Sequence, residues 1–160
     1  MYIYLIDSGT GEEKVLSLLP HEVVFNKGLP SETILGTLSK ISSKGNEIKI
    51  NDFIPNPVFI NFLHNIIAKY GPQVSGLSIQ AQKQQKGWVY IVDARCPDPQ
   101  GRVLPEDIIG AFKIADGRIM PNSYTRNDNH LILSERGLFK LESTLSEYLI
   151  QESLKLLEKN

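Results

Sequence analysis

The chain has 160 residues, of which 41% are hydrophobic and 22% are charged, and its formal net charge is −1. These values are ordinary for a globular domain and exclude a strong positive field that would attract nucleic acid. The apolar runs at residues 2–6 and 88–92 are far shorter than the ~18 residues needed to cross a bilayer. A single cysteine, Cys96, excludes an internal disulfide framework. We therefore expect a cytoplasmic protein that binds neither membranes nor nucleic acid.

The N-terminal residues have the composition of a pair of strands. Residues 2–6 are β-branched and aromatic, residues 8–11 supply Ser-Gly-Thr-Gly turn chemistry, and residues 15–19 are apolar again. The pattern predicts an N-terminal strand pair.

A helix signal and a strand signal follow. Ser31 is a suitable helix cap and apolar residues follow it at helical spacing, so a helix is predicted over residues 31–41, although Gly36 lies in its interior. The apolar positions of this predicted helix are Ile34, Leu38 and Ile41. Residues 46–54 alternate apolar and polar side chains over a few positions, which predicts a short strand.

The clearest helix signal covers residues 56–70. Asn56 is suited to cap the free N–H groups, Pro57 fits the first turn, and Gly71-Pro72 ends the helix. A broad apolar stripe on this helix comprises Phe59, Phe62, Leu63, Ile66, Ile67 and Tyr70. The stripe predicts that one side of the helix faces the core.

Strand signals dominate the middle of the chain. Residues 77–82 alternate apolar and polar side chains and predict a half-exposed strand, and residues 88–96 predict a more buried one after the KQQKG turn. The prolines in residues 97–101 break this second strand. Farther along, strand-like residues 108–114 and 118–120 flank an Asp-Gly pair, which is a strong hairpin signal.

The chain ends in a predicted helix over residues 145–158. Thr144 and Glu147 have the spacing of a capping box. The apolar positions that follow are Leu145, Leu149, Ile150, Leu154 and Leu157, and they give the helix a core-facing side.

These elements predict an α+β fold with a mostly antiparallel sheet and about two packed helices, at residues 56–70 and 145–158. The sequence reveals no repeat and no linker, so residues 1–160 are expected to form a single domain.

The segment from Ser123 to His130 concentrates side chains that bind or react. Its Arg126 is suited to bind anions, and its His130 is suited to transfer protons near neutral pH. The same segment is rich in asparagine, aspartate and serine, whose side chains bond to nearby backbone in turns. A well-made loop between two strands is therefore the simpler interpretation, with binding and catalysis as alternatives.

Other reactive side chains carry weaker signals. Cys96 follows a strand together with Asp93 and Arg95, where a buried structural thiol is favoured over a nucleophile. His64 lies on the apolar side of the 56–70 helix, which favours packing over metal ligation, and His21 belongs to no motif. We expect no catalytic residue, no metal site and no cofactor.

The run PEDIIGAFKIADGRIMPNSYTRNDNHLILSERGLFKL, residues 105–141, resembles small uncharacterised bacterial proteins, some of which lie beside polymorphic toxin genes as candidate immunity proteins. The resemblance implies a bacterial, non-enzymatic domain that neutralises a toxin by binding it. Such a protein needs an exposed patch of aromatic, arginine and acidic groups complementary to its partner. The expected contact residues are Tyr124, Arg126, Asp128, His130, Glu135 and Arg136.

Two alternatives to a protein-binding domain remain open at this point. One is a small hydrolase or nuclease-like enzyme in which His130 transfers protons and Arg126 stabilises developing negative charge. The other is a small-ligand-binding module whose ligand lies between the sheet and the 56–70 helix, where Trp88 or Tyr90 lines the pocket. Formation of a homo-oligomer also stays open.

Overall fold

The computed structural model describes residues 1–39 and 48–159. Within them, four α-helices accompany strands that all pair in antiparallel fashion. The predicted α+β class is therefore confirmed, although the strands are distributed over three sheets rather than one. The chain forms two compact units, Met1–Leu63 with Leu149–Asn160, and His64–Tyr148.

The first unit contains a four-stranded sheet in chain order, made of β1 (Tyr2–Asp7), β2 (Glu12–Ser17), β3 (Ile34–Leu38) and β4 (Phe53–Pro55). The predicted N-terminal strand pair is confirmed as β1 and β2, which the Ser-Gly-Thr-Gly turn joins. A short helix, α1 (His21–Val24), follows β2.

The second unit contains the other two sheets. The larger sheet consists of β5 (Gly87–Val92), β6 (Ile108–Ala115), β7 (Arg118–Ile119) and β8 (Thr125–Arg126). Strand β6 is central, because β5, β7 and β8 all pair with it. The smaller sheet is a hairpin of β9 (Leu133–Ser134) and β10 (Gly137–Leu138).

The Asp-Gly hairpin is confirmed between β6 and β7. Asp116 and Gly117 have φ values of +50° and +71°, as a type I′ turn requires at both central positions. Its backbone twist matches that of the flanking strands, so the local sequence is sufficient to form this turn.

Three longer helices complete the secondary structure: α2 (Pro57–Tyr70), α3 (Ser75–Gln84) and α4 (Ser143–Glu158). Helix α2 confirms the prediction over 56–70. Asn56 Oδ1 accepts a hydrogen bond from Val58 N at 3.1 Å, and Phe59, Leu63 and Ile67 are fully buried.

Helix α4 begins at Ser143, two residues earlier than predicted, because a different side chain caps it. The Glu142 carboxylate accepts hydrogen bonds from the N–H groups of Thr144 at 2.9 Å and Leu145 at 3.2 Å. Burial opposes ionisation, but these bonds outweigh it and lower the pKa of Glu142. The predicted capping box of Thr144 and Glu147 is therefore wrong.

The predicted helix over residues 31–41 is also wrong. Residues Ser31–Thr33 form a 3-10 turn, Ile34–Leu38 form β3, and Ile41 lies outside the described residues. Strand β3 pairs with β2 on one side and β4 on the other, and these ladder bonds override a helical spacing of apolar residues that Gly36 already weakened. The predicted 46–54 strand is reduced to β4, after a 3-10 turn at Ile50–Asp52.

The predicted strand over residues 77–82 is helix α3 instead. Ala81 is buried there, whereas Ile79 is exposed, so the alternation did not mark one buried face. Glutamine and lysine, which are frequent in this segment, are good helix formers. The following strand β5 is confirmed, but Trp88 and Tyr90 are exposed while Val89 and Ile91 are buried.

The two four-stranded sheets share a local motif that the sequence did not reveal. In each, a 3-10 turn leads into a strand whose third residue is glycine, Gly36 in β3 and Gly110 in β6. A Cβ at Gly36 would lie 2.5 Å from the ring of Phe53, and a Cβ at Gly110 would lie 2.6 Å from the ring of Tyr124. Both positions therefore require glycine because a ring packs directly on the backbone.

An asparagine completes the motif in each unit. Asn56 Nδ2 donates to the carbonyls of Ser31 and Ile34 at 2.8 and 2.7 Å. Asn127 Nδ2 donates in the same way to the carbonyls of Pro105 and Ile108, again at 2.8 and 2.7 Å. The expectation that the chain has no repeat is corrected at the level of local structure, because the segments SETILG and PEDIIG make the same contacts despite differing at three of six positions.

Candidate functional site

The segment from Ser123 to His130 is a loop that includes strand β8 and is held in place by hydrogen bonds. Asn127 fixes it from inside, since its Oδ1 also accepts a hydrogen bond from Asn129 N at 3.1 Å. Arg126 and Asp128 lie on the surface and form an ion pair, with Nε 2.9 Å from Oδ1. Tyr124 and His130 are instead turned inward. The backbone of this segment is thus the loop that the simpler interpretation predicted. Of its side chains, Arg126 and Asp128 are accessible to a partner.

His130 belongs to a buried polar cluster. Its Nε2 lies 2.9 Å from Asp93 Oδ2, and its side chain is 2% exposed. Asp93 Oδ1 in turn accepts hydrogen bonds from the backbone N–H groups of Arg95 and Lys140. The imidazole therefore anchors the loop to the end of β5 and is not presented to a substrate or a partner.

Arg95 holds the centre of the same cluster. Its Nε lies 2.9 Å from Asp107 Oδ1, and both side chains are buried. Its terminal nitrogens donate to four backbone carbonyls, those of Glu106, Leu131, Ile132 and Gly137. Within residues 1–39 and 48–159, no buried side-chain nitrogen or oxygen lacks a partner. A fully satisfied buried network of this kind organises loops.

The predicted contact residues Glu135 and Arg136 occupy the turn of the β9–β10 hairpin. Arg136 is partly exposed and forms an ion pair with Asp107 of the buried cluster. Glu135 is exposed. Both residues remain predicted contact residues at the surface, whereas His130 of the same predicted set lies inside.

Tyr124 pairs with His64 of helix α2. The Tyr124 hydroxyl lies 2.6 Å from His64 Nδ1, and the histidine is 6% exposed. Burial lowers the pKa of His64 to about 4, with the charges of Arg126 and His130 acting in the same direction. Burial likewise raises the pKa of Tyr124. Near neutral pH, the pair is thus a hydrogen bond between two uncharged side chains that joins α2 to the strand β8 region.

The outer face of the larger sheet carries the exposed aromatic residues. Trp88 is 40% exposed and Tyr90 is 52% exposed. They share a face because they are two residues apart on β5, where the intervening Val89 is fully buried. In the first unit, the residue equivalent to Tyr90 is Val15, which is buried. The exposure of the aromatic residues is therefore a property of this sequence and not of the repeated motif.

Two adjoining depressions lie beside Tyr90. One, of about 270 Å³, is lined by Gln80, Tyr90, Val92, Pro99, Gln100, Val103 and Ile108. The other, of about 320 Å³, is lined by Tyr90, Val103, Pro105, Ile108, Gly110, Ala111, Thr125, Arg126 and Asn127. Both are mostly apolar, and the second includes the predicted contact residue Arg126. Sequence reasoning missed this surface because it interpreted β5 as a more buried strand and expected Trp88 or Tyr90 to face the 56–70 helix. The Trp-Val-Tyr-Ile alternation was the available signal.

The pocket expected for a small ligand between the 56–70 helix and the sheet has other lining residues. A depression of about 260 Å³ contains Ala68 of α2 and Phe112 of β6 together with Tyr124. Neither Trp88 nor Tyr90 lines it, so that part of the ligand-module hypothesis is wrong. The two aromatic residues point to the opposite face of the sheet.

The remaining candidates, Cys96 and His21, have packing contacts. Cys96 is buried, with Sγ 4.0 Å from the carbonyl oxygen of Arg102. His21 packs against Tyr4 in the first unit, with ring centroids 4.5 Å apart. Among the described residues, no three His, Cys, Asp or Glu side chains are grouped to hold a metal ion. None of the helices formed by the described residues is long and apolar enough to cross a membrane.

Comparison of the chain with models of protein families, with curated proteins and with solved structures found no match.

Proposed function

We propose that the protein is a non-enzymatic domain that binds a protein partner through the outer face of the β5–β6–β8 sheet. The observation that carries this proposal is the exposure of Trp88 and Tyr90 side by side, next to apolar depressions. Tryptophan, tyrosine and arginine are the residues that most often dominate the energy of protein interfaces. Here Arg126 and Tyr90 line the same depression, and Trp88 lies two residues from Tyr90 on the same face of β5.

The polar residues predicted to bind a partner extend this surface at one side. Arg126 and Asp128 are exposed next to the depression, and their ion pair is accessible to solvent. An exposed pair of this kind contributes little to folding but adds complementarity at the rim of an interface. Tyr124 and His130 stabilise the loop through hydrogen bonds to His64 and Asp93 instead of contacting the partner.

The enzymatic alternative is less well supported by the geometry. A general acid or base has to lie within hydrogen-bond reach of the substrate. His130 Nε2 is already bonded to Asp93, and its side chain is buried. His64 is buried and bonded to Tyr124. None of the three depressions is lined by either histidine.

The sharper form of the proposal is immunity to a toxin in a bacterial cytoplasm. It is based on the resemblance of residues 105–141 alone. A neutralising protein needs a rigid surface and no chemistry, which agrees with loops fixed by the buried Arg95 cluster. The sharper form is tested by growth of cells that express the recovered partner alone or together with this protein. Growth restored only by co-expression supports immunity.

The binding proposal is tested by recovery of a partner from the protein's own source. Purified wild-type protein should recover a partner that the Trp88→Ala/Tyr90→Ala variant does not. We expect a loss of binding free energy of ~2 kcal/mol or more for each central aromatic residue, hence a strong loss in the double variant.

The matched control is Phe25→Ala/Leu5→Ala, which removes two exposed apolar side chains from the first unit. It should recover the partner as wild type does. Thermal melts of both variants separate binding from folding, because exposed cross-strand residues contribute only about 1 kcal/mol each to stability. Equal recovery by wild type and the Trp88→Ala/Tyr90→Ala variant would exclude this face as the interface.

A further inference from the structure

The outer face of the larger sheet, which carries Trp88 and Tyr90 and is called the aromatic face below, has a basic end. On β6, Lys113 lies directly opposite Trp88, and Arg118 on β7 lies opposite Ala115. Residues 111, 113 and 115 alternate with buried positions, so Lys113 and Arg118 share the outer face with Trp88 and Tyr90. Both cations are exposed, and among residues 1–39 and 48–159 no carboxylate pairs with either one.

The charges around this end are unbalanced. Lys86 is exposed just before β5, and the nearby carboxylate is Asp116 in the β6–β7 turn. The strands and turns at this end thus carry three exposed cations, Lys86, Lys113 and Arg118, together with the carboxylate of Asp116. A local excess of this kind attracts negative charge in a partner and repels positive charge.

The opposite end of the face is apolar. Beyond Tyr90, both depressions are lined by Val103 and Ile108, and each has room for an apolar side chain of a partner. Two acidic residues, the exposed Asp98 and the half-buried Glu106, belong to the segments that border this end. The face thus changes from basic and aromatic at Trp88 to apolar at Ile108.

We infer that the partner presents an acidic segment with an apolar anchor, whose carboxylates pair with Lys113 and Arg118 while the anchor fills a depression beside Tyr90. This inference rests on the proposed protein-binding function and specifies the chemistry of the partner. A protein segment fits better than single-stranded nucleic acid, which also stacks on aromatic residues, because Arg126 at the other end is paired with Asp128 and the chain has a net charge of −1.

The test is a selection of displayed random peptides on the immobilised full chain. Peptides enriched on wild type should be rich in Asp and Glu around an aliphatic or aromatic residue. They should not be enriched on Trp88→Ala/Tyr90→Ala. The Lys113→Glu/Arg118→Glu variant should bind the selected acidic peptides at least about tenfold more weakly, and a new selection on it should enrich Lys and Arg.

The control variant Lys27→Glu/Lys49→Glu makes the same change in net charge at exposed positions of the first unit. It should select and bind the same acidic peptides as wild type. Binding of these peptides should also weaken as salt concentration rises, because exposed charges are screened.

The possible results of this selection distinguish failure of the acidic-segment inference from failure of the proposed protein-binding function. Peptides that need Trp88 and Tyr90 but show no acidic bias would overturn the inference and leave the binding face in place. Peptides enriched equally on wild type and Trp88→Ala/Tyr90→Ala would overturn both. Binding of labelled oligothymidylate that is tighter than that of any selected peptide, and is lost in Trp88→Ala/Tyr90→Ala, would replace the acidic segment by single-stranded nucleic acid.

Discussion

Protonation of the buried histidine in α2 should make the protein unstable in mild acid. His64 is enclosed and bonded to the Tyr124 hydroxyl, and its pKa is lowered to about 4 in the folded state. In the unfolded chain, a histidine has its ordinary pKa of about 6.5. The unfolded state therefore binds more protons between these two values. Stability from this group is complete above about pH 6.5 and is lost as the pH falls toward 4.

The size of the effect follows from this difference in pKa. The full shift corresponds to roughly 3 kcal/mol, at 1.36 kcal/mol for each pKa unit. About 2 kcal/mol of it should be lost between about pH 7.5 and about pH 5, since most of the difference in proton binding lies in that window. A single domain with a stability of about 5–15 kcal/mol would register this loss clearly.

The assay is urea denaturation of wild type and His64→Asn at several pH values in that range. Asparagine retains a polar group near the Tyr124 hydroxyl but does not titrate. The difference in unfolding free energy between the two proteins should therefore shrink by about 2 kcal/mol as the pH falls. The other titrating groups are common to both proteins, so their contributions cancel in this difference. Parallel pH profiles, or a His64 pKa near 6.5 in an NMR titration, would refute the reasoning.

Two further predictions concern the glycine of the repeated motif and the buried cluster. Gly110→Ala places a Cβ 2.6 Å from the ring of Tyr124 and should destabilise the protein by about 1–3 kcal/mol in urea denaturation. Gly76→Ala, in α3 with open space around it, should be neutral or slightly stabilising, and equal losses at both glycines would contradict the packing argument. Asp107→Asn removes the carboxylate nearest the buried Arg95 Nε and should cost about 3 kcal/mol. Asp128→Asn, at an exposed ion pair, should cost less than about 0.5 kcal/mol, and a similar cost for both would show that the buried pair is not essential.

The sequence by itself determined the elements whose signals are local. Asn56 and Pro57 begin α2 and its apolar stripe buries it, because capping and periodicity act within a few residues. The β6–β7 turn follows from Asp116-Gly117, since few residue pairs accept positive φ at both positions. The α+β class followed from such elements together.

Only the tertiary structure decided the elements that depend on distant partners. Residues 34–38 have helical spacing but form a strand, because β2 and β4 supply ladder bonds on both sides. The repeated motif is visible only in its contacts, the ring against each glycine and the asparagine against two carbonyls.

In the candidate site, too, some residues could be located from the sequence and others only from the tertiary structure. The sequence located Arg126 and Asp128 at the surface of a loop, since polar turn residues near a strand end are solvent-exposed as a rule. It did not separate them from His130, because the inward turn of that side chain depends on Asp93, which is distant along the chain. The aromatic face was likewise decided by pairing, since β5 alternates between buried and exposed residues only once β6 fixes which side faces the core.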